Sequence, residues 1–246
     1  GLLSMQEAIY KLHFADDFNQ INEALRRIKY EELLQYQLSM KYLHYMREQD
    51  HNCPVINYDL KLLEKLNANL SYELTQDQKL AVNDILTDLK APYAMNRLLQ
   101  GDVGTGKTLV AVTSLVATAF ASYQGVLMAP TDILARQHYK SLKELAPACL
   151  NIALLVGSMT NKEKEKIYLD LINHKIEIVV GTHALIQDSV NFANLGLIVI
   201  DEQHRFGVQQ RRKLKEKAEF VELLSMSATP IPRTLALILY GDLDIS

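Results

Sequence analysis

The run Gly101 to Thr108, GDVGTGKT, sets glycines, a lysine and a threonine at the spacing GxxxxGK[ST]. It follows a short apolar stretch, Arg97-Leu98-Leu99-Gln100, and opens a segment of helical character. Residue types in this order make a phosphate cradle. Gly101, Gly104 and Gly106 free the backbone from β-carbon sterics, so the N–H groups along Gly101, Asp102, Val103, Gly104, Thr105 and Gly106 can turn inward around a β-phosphate at a helix N-terminus. Lys107 adds a point charge for the β- and γ-oxygens, and the Thr108 hydroxyl is a ligand for Mg²⁺. Binding of a nucleoside triphosphate with Mg²⁺ follows.

Two further groups carry chemistry. Leu197-Ile198-Val199-Ile200 runs directly into Asp201-Glu202-Gln203-His204. Two carboxylates after an apolar strand suit a Mg²⁺-nucleotide enzyme. Asp201 is placed to hold the metal through its water shell, and Glu202 to polarise the water that attacks the γ-phosphate in line. Downstream, Ser227-Ala228-Thr229-Pro230 offers two hydroxyls one small residue apart. At a strand end these can bond to Gln203 and His204 and so link nucleotide state to movement elsewhere; hydroxyls beside a proline also occur in ordinary turns.

Elements that could position these groups are legible from residue 71 onward. Nearly uninterrupted Val, Ile and Leu runs at 97–100, 125–129, 151–156, 176–180, 195–200 and 220–225 alternate with stretches of helical length at 107–121, 132–145 and 160–173. Such strands are buried on both faces. That implies an α/β fold with a parallel sheet covered by helices, whose sites form at the carboxyl ends of the strands. Residues 1–70 show no strand alternation and read as a helical segment ahead of this domain of residues 71–246. A long helix is expected from Asp17 to Met46, started by an Asp17/Gln20 capping box and carrying Ile21, Leu25, Ile28, Leu34, Leu38, Tyr42 and Tyr45 along one face. Asn52-Cys53-Pro54 should end it, and Leu60, Leu63 and Leu66 suggest a short second helix.

Composition bounds the partners. The 246 residues are 48% hydrophobic and 22% charged, as in a soluble globular protein, and the net charge of −3 gives no global basic field. Any nucleic-acid contact must rest on local loops. Cys53 and Cys149 lack metal-ligand spacing and fit a reducing compartment. No signal peptide and no apolar run of about 18 residues appears, so no membrane is expected and a cytoplasmic location is. A chain beginning at Gly1 suggests an internal piece of a longer protein.

The set of phosphate loop, DEQH, SAT and the upstream Gln78 resembles superfamily 2 helicases and translocases. The wording narrows the resemblance further. Asp201 to Arg211, DEQHRFGVQQR; Ser227 to Ala236, SATPIPRTLA; Tyr240 to Asp244, YGDLD; and Gly181-Thr182-His183-Ala184-Leu185 are similar to the bacterial RecG family of branched-DNA helicases. The resemblance spans nearly the whole chain. It implies a RecA-like motor domain and an ATP-driven double-stranded DNA translocase that remodels stalled forks and Holliday junctions in recombination and repair. A related family, the transcription-repair coupling translocases, shares the loop, RFGV and PIPRTL but usually has Glu-Glu-Gln where this chain has Glu202-Gln203-His204. A nucleotide-binding interaction module without turnover is the reading from another class; intact Lys107, Thr108, Asp201 and Glu202 favour the motor.

The resemblance also assigns residues. Gln78 would recognise adenine, with Tyr72 as the aromatic just upstream, while the sequence alone gives Thr75 and Gln78 as a helix capping box. It further implies that a fork-stacking wedge domain, apart from its trailing edge in residues 1–15 of the helical linker, and a second motor domain carrying the arginine finger lie outside the chain. DNA contacts fall on the loops around Thr131 and Arg136, and Thr182 and His183, where hydroxyls and N–H groups at helix starts can hold phosphates. Thr131 and Thr182 also fit plain caps, and Arg136, Arg205, Arg211 and Arg212 fit solvated helix faces. A monomer is expected.

Overall fold

A computed structural model of the chain describes residues 1–49, 53, 55–58, 73–202, 205–218, 220–229 and 243–246. The described residues up to Arg47 belong to one compact unit and those from Glu48 onward to another.

The first unit is helical. Helix α1 (Met5–His13) starts at a capping box in which the Ser4 side chain accepts from the Glu7 N–H while Glu7 reaches back to Ser4. The pattern Ser4-x-x-Glu7 is a start signal that the sequence reading passed over. Helix α2 (Phe18–Gln49) has 32 residues, or about 48 Å at 1.5 Å per residue. Its start differs from the expected box in one respect. The Gln20 N–H donates to Asp17 Oδ1 at 2.8 Å, but the Gln20 carboxamide oxygen accepts from the Asp16 N–H rather than that of Asp17. The expected single apolar face also divides. Ile21, Leu25 and Ile28 are half-buried around the buried Ala24, whereas Leu34, Leu38, Tyr42 and Tyr45 are exposed. The six-residue step from Ile28 to Leu34 turns the helix by roughly 240° beyond whole turns, so the later residues leave the first face. The break at Asn52 to Pro54 and the helix around Leu60 to Leu66 lie outside the described residues, save for the buried Cys53.

The second unit holds seven strands: β1 (Asn96–Gln100), β2 (Gln124–Met128), β3 (Ile152–Leu155), β4 (Ile178–Gly181), β5 (Leu195–Ile200), β6 (Glu222–Ser227) and β7 (Asp244–Ile245). They form one sheet in the order β3-β4-β2-β5-β6-β1-β7, and every pairing is parallel. All the expected strands are present. The short β7 was not foreseen; it joins β1 through Arg97↔Asp244 and Leu98↔Ile245.

The pleat sends alternate side chains to opposite faces, and both faces are covered. Leu127, Val180, Leu197, Val199, Leu224 and Met226 pack with buried residues of α3 (Gln76–Asp88), α4 (Lys107–Phe120) and α5 (Asp132–Leu145). Val126, Met128, Val179, Ile198, Ile200 and Leu223 pack on the other side with Leu171 of α6 (Asn161–Ile172) and Leu214 of α7 (Val208–Lys215). Helix α4 is buried from Leu109 to Ala119. Its polar residues survive burial because Thr113, Ser114 and Thr118 donate to carbonyls one turn back, each at 2.9 Å. Among the described residues no helix is long and apolar enough to cross a membrane.

Gln124 fastens the amino-terminal edge of the sheet. Fully buried, it donates through Nε2 to the carbonyls of Leu171 and Ile176 and accepts through Oε1 from the N–H groups of Ala193 and Asn194. One side chain thereby joins the end of α6 to the approaches of β4 and β5.

Candidate nucleotide-binding site

Because the strands are parallel, the turns after β1, β2, β4, β5 and β6 share the carboxyl edge of the sheet, and the expected chemistry falls there. The phosphate loop leaves β1 at Gly101, whose N–H donates to the Ser227 carbonyl at 3.3 Å. Gly104 and Gly106 take φ of +84° and +83°, left-handed conformations that side chains disfavour. Gly106 is also a point of close approach, since a β-carbon there would lie 2.3 Å from Gln78 Nε2. As the residue capping α4, Gly106 brings no side-chain acceptor to the first turn. Helix α4 therefore begins with donors suited to an anion. Lys107 Nζ donates to the carbonyls of Gly101 and Asp102 at 2.5 and 2.8 Å, which folds its ammonium over the loop. Thr105 braces the same turn by donating to the Asp102 carbonyl, while Val103 is exposed at the tip.

Gln78 combines two of the expected contacts. The Thr75/Gln78 capping box is formed, with the Gln78 N–H donating to Thr75 Oγ1 at 3.3 Å and the Thr75 N–H to Gln78 Oε1 at 3.0 Å. The other end of the carboxamide donates to the Thr105 carbonyl in the phosphate loop at 2.8 Å. A cavity of about 410 Å³ opens beside it, with Ala81, Leu99 and Val110 as apolar wall and Asp77, Gln78, Gln100, Lys107 and Ser246 as polar lining. Tyr72, the candidate stacking aromatic, lies outside the described residues.

Asp201 and Glu202 follow β5, which is separated from β1 only by β6. The Asp201 N–H donates to the Met128 carbonyl at 2.9 Å, and Asp201 Oδ2 lies 2.8 Å from His138 Nε2, with both residues buried. Sequence reading missed His138. Its signal was nonetheless present, because Ala135, His138 and Leu142 are the buried positions of α5 and recur at i, i+3 and i+7. Glu202 takes φ of +49°, a backbone conformation rare for a residue with a side chain. Thr108 and Asp201 offer a hydroxyl and a carboxylate, the hard oxygen donors that Mg²⁺ prefers. No group of three or more His, Cys, Asp or Glu among the described residues could hold a metal by itself. Mg²⁺ bound with a nucleotide needs only one or two protein oxygens, the rest of its shell being phosphate oxygens and water.

The SAT hydroxyls meet each other. Ser227 and Thr229 are 2.9 Å apart through Oγ and Oγ1, and the Thr229 N–H donates to Ser227 Oγ at 3.3 Å. Gln100 Nε2 donates to the Thr229 carbonyl at 3.0 Å, so this turn is tied to the residue before the phosphate loop, a link without a motif to announce it. The proposed partners Gln203 and His204 lie outside the described residues, as do Pro230 to Asp242.

Three of the four residues considered for DNA contact, Thr131, Arg136 and Thr182, gather around Asp132. Thr131 caps α5, accepting from the Leu134 N–H at 3.3 Å. Thr182 is buried and donates to Asp132 Oδ1 at 3.3 Å, while Ser158 donates to Asp132 Oδ2 at 2.9 Å and receives Arg136 Nη2 at 3.3 Å. His183 is exposed, its ring 5.4 Å from that of Phe206. Three loops, after β2, β3 and β4, thus form one polar surface. Arg205 and Arg212 are exposed, Arg212 paired with Glu216 at 2.8 Å; the side chain of Arg211 lies outside the described residues.

Comparison with known proteins agrees with this fold. The family pattern of DEAD/DEAH box helicases matches residues 75–238. An ATP-dependent DNA helicase RecG from Streptococcus pneumoniae is 46% identical over the whole chain, which covers 36% of that protein. RecG of Thermotoga maritima is also 46% identical over the whole chain, which covers 31% of its length. The chain spans about a third of the length of these relatives. A solved structure of RecG bound to a three-way DNA junction superposes with a TM-score of 0.86 at 44% identity, over 99% of this chain and 33% of that one. A hypothetical ATP-dependent RNA helicase from Sulfolobus tokodaii, 16% identical with a TM-score of 0.56, shares the fold alone.

Proposed function

We propose, from the premise that the chain belongs to the DEAD/DEAH box helicase family, that it is the nucleotide-binding motor domain of a RecG-type ATP-dependent DNA translocase acting on branched duplexes. The observation that carries the reading is the meeting at one sheet edge of Lys107 after β1, Asp201 and Glu202 after β5, and Ser227 and Thr229 at and after β6.

The residues divide the work. Backbone N–H groups from Gly101 to Gly106 enclose the β-phosphate, and Lys107, released from the carbonyls of Gly101 and Asp102, moves to the phosphate oxygens. Thr108 and Asp201 would hold Mg²⁺, which when bound offsets charge on the β- and γ-phosphates. Glu202 orients the attacking water, and its strained backbone fixes where that carboxylate can stand. Gln78 reads adenine from the cavity beside Ala81, Leu99 and Val110. Through Gln100 and the Ser227–Thr229 pair, a change at the phosphate loop reaches the turn after β6. Gln203 and His204 belong to this coupling by resemblance.

The loops holding Thr131, Arg136, Thr182 and His183 form the DNA face, contacting phosphates without reading bases. The junction-bound RecG structure, similar over nearly all of this chain, supports branched DNA as the partner. We further place the protein in the cytoplasm as a monomer. ATP hydrolysis by the protein at the full length of its relatives, measured with linear and with forked duplexes, tests the reading. Stronger stimulation by the fork supports it; equal response to both removes the branched-DNA assignment, and no response to either removes the motor.

A further inference from the structure

Asp201 and His138 are 63 residues apart in sequence and 2.8 Å apart in space. Asp201 is 9% exposed and His138 8%, so their bond is shielded from water. A carboxylate so buried is costly unless a donor satisfies it, and His138 is the side-chain partner Asp201 has among the described residues. Oδ2 is thereby occupied, and the free rotation of the carboxylate is lost.

Helix α5 holds His138 firmly. Ala135 and Leu142 anchor the helix in the core, and Asp132 in its first turn is bound by Ser158 and Thr182 from two neighbouring loops. An imidazole fixed this way can hold a carboxylate in one orientation. We infer that His138 is a positioning residue for the metal-binding carboxylate, a group on α5 that presents Asp201 in the orientation a nucleotide-bound divalent cation requires. The inference rests on Asp201 being the metal carboxylate of the proposed site. The bond that places His138 goes to Asp201 and not to the phosphate loop, so its expected effect is on the metal and not on the nucleotide as such.

The test uses Mn²⁺ as the probe, its free signal followed by electron paramagnetic resonance with the chain saturated by a non-hydrolysable ATP analogue. Nucleotide affinity is measured in parallel in EDTA, and circular dichroism reports folding. His138→Leu should weaken Mn²⁺ binding by about 10- to 100-fold, the usual effect of removing such a support, and leave affinity in EDTA unchanged. His138→Gln puts an amide N–H where imidazole Nε2 stood and should restore Mn²⁺ binding; His138→Asn is too short and should not. If His138→Leu does not fold, the Gln and Asn variants decide. Asp201→Asn is the control for the site. Loss of Mn²⁺ binding in Asp201→Asn with none in His138→Leu or His138→Asn overturns the inference and spares the site, as does an equal loss in EDTA, or a folded His138→Gln no better than His138→Asn. Retention in Asp201→Asn overturns both.

Discussion

The carboxamide of Gln78 joins two parts of the nucleotide site: its oxygen closes the cap of α3 by accepting from Thr75, and its nitrogen donates to the Thr105 carbonyl 2.8 Å away. A glutamine that reads a base while keeping both bonds has its second amide hydrogen and second carbonyl lone pair left to do so, so base choice and loop position are linked through one side chain.

Gln78→Ala should therefore lower stability by about 0.5–2 kcal/mol through the lost cap and also narrow the preference for ATP over GTP. Binding titrations with both nucleotides, beside a melting curve, separate the effects. A lower melting temperature with unchanged preference would leave Gln78 as cap and loop anchor only.

Glu202→Gln should retain Mg-ATP binding and lose turnover, because the carboxylate acts on the attacking water and not on nucleotide binding. Equilibrium binding and phosphate release, measured in the protein at the full length of its relatives, check this. Normal turnover in Glu202→Gln would remove its assigned role.

Gln124→Leu should be among the most damaging substitutions at the sheet's amino-terminal edge. It orphans the Ile176 carbonyl and removes the partner of the part-buried N–H groups of Ala193 and Asn194, while the Leu171 carbonyl keeps the His174 N–H; each orphaned group costs about 1–3 kcal/mol. Urea denaturation should show a loss of about 3 kcal/mol or more. A loss under about 1 kcal/mol would mean that water replaces those bonds.

Arg136→Ala addresses the DNA face. If its guanidinium leaves Ser158 for a phosphate, the slope of log affinity against log salt should fall by about 0.9 for duplex DNA. An unchanged slope would assign Arg136 to the Asp132 network alone.

How much was legible in the sequence depended on the range of the forces involved. The strands were readable because burial on both faces demands unbroken apolar runs, and the Gly101 to Thr108 loop because phosphate binding constrains adjacent residues. Strand β7 was not, since Asp244 and Ile245 pair with Arg97 and Leu98 from far along the chain and carry no pattern of their own. The bonds from His138 to Asp201 and from Gln100 to Thr229 were hidden for the same reason. The tyrosines of α2 show the opposite failure. A spacing that looked continuous in sequence crossed from one helix face to another at the step after Ile28.

The most direct measurement of the central claim is a calorimetric titration of Mg-ATP into the chain and into its Lys107→Ala variant, with folding verified by circular dichroism. Lys107 places its ammonium over the phosphate loop, bonded in this structure to the carbonyls of Gly101 and Asp102. The account predicts saturable Mg-ATP binding by the chain and its loss or severe weakening in a folded Lys107→Ala. Equal binding by both, or no binding by the chain itself, would contradict it.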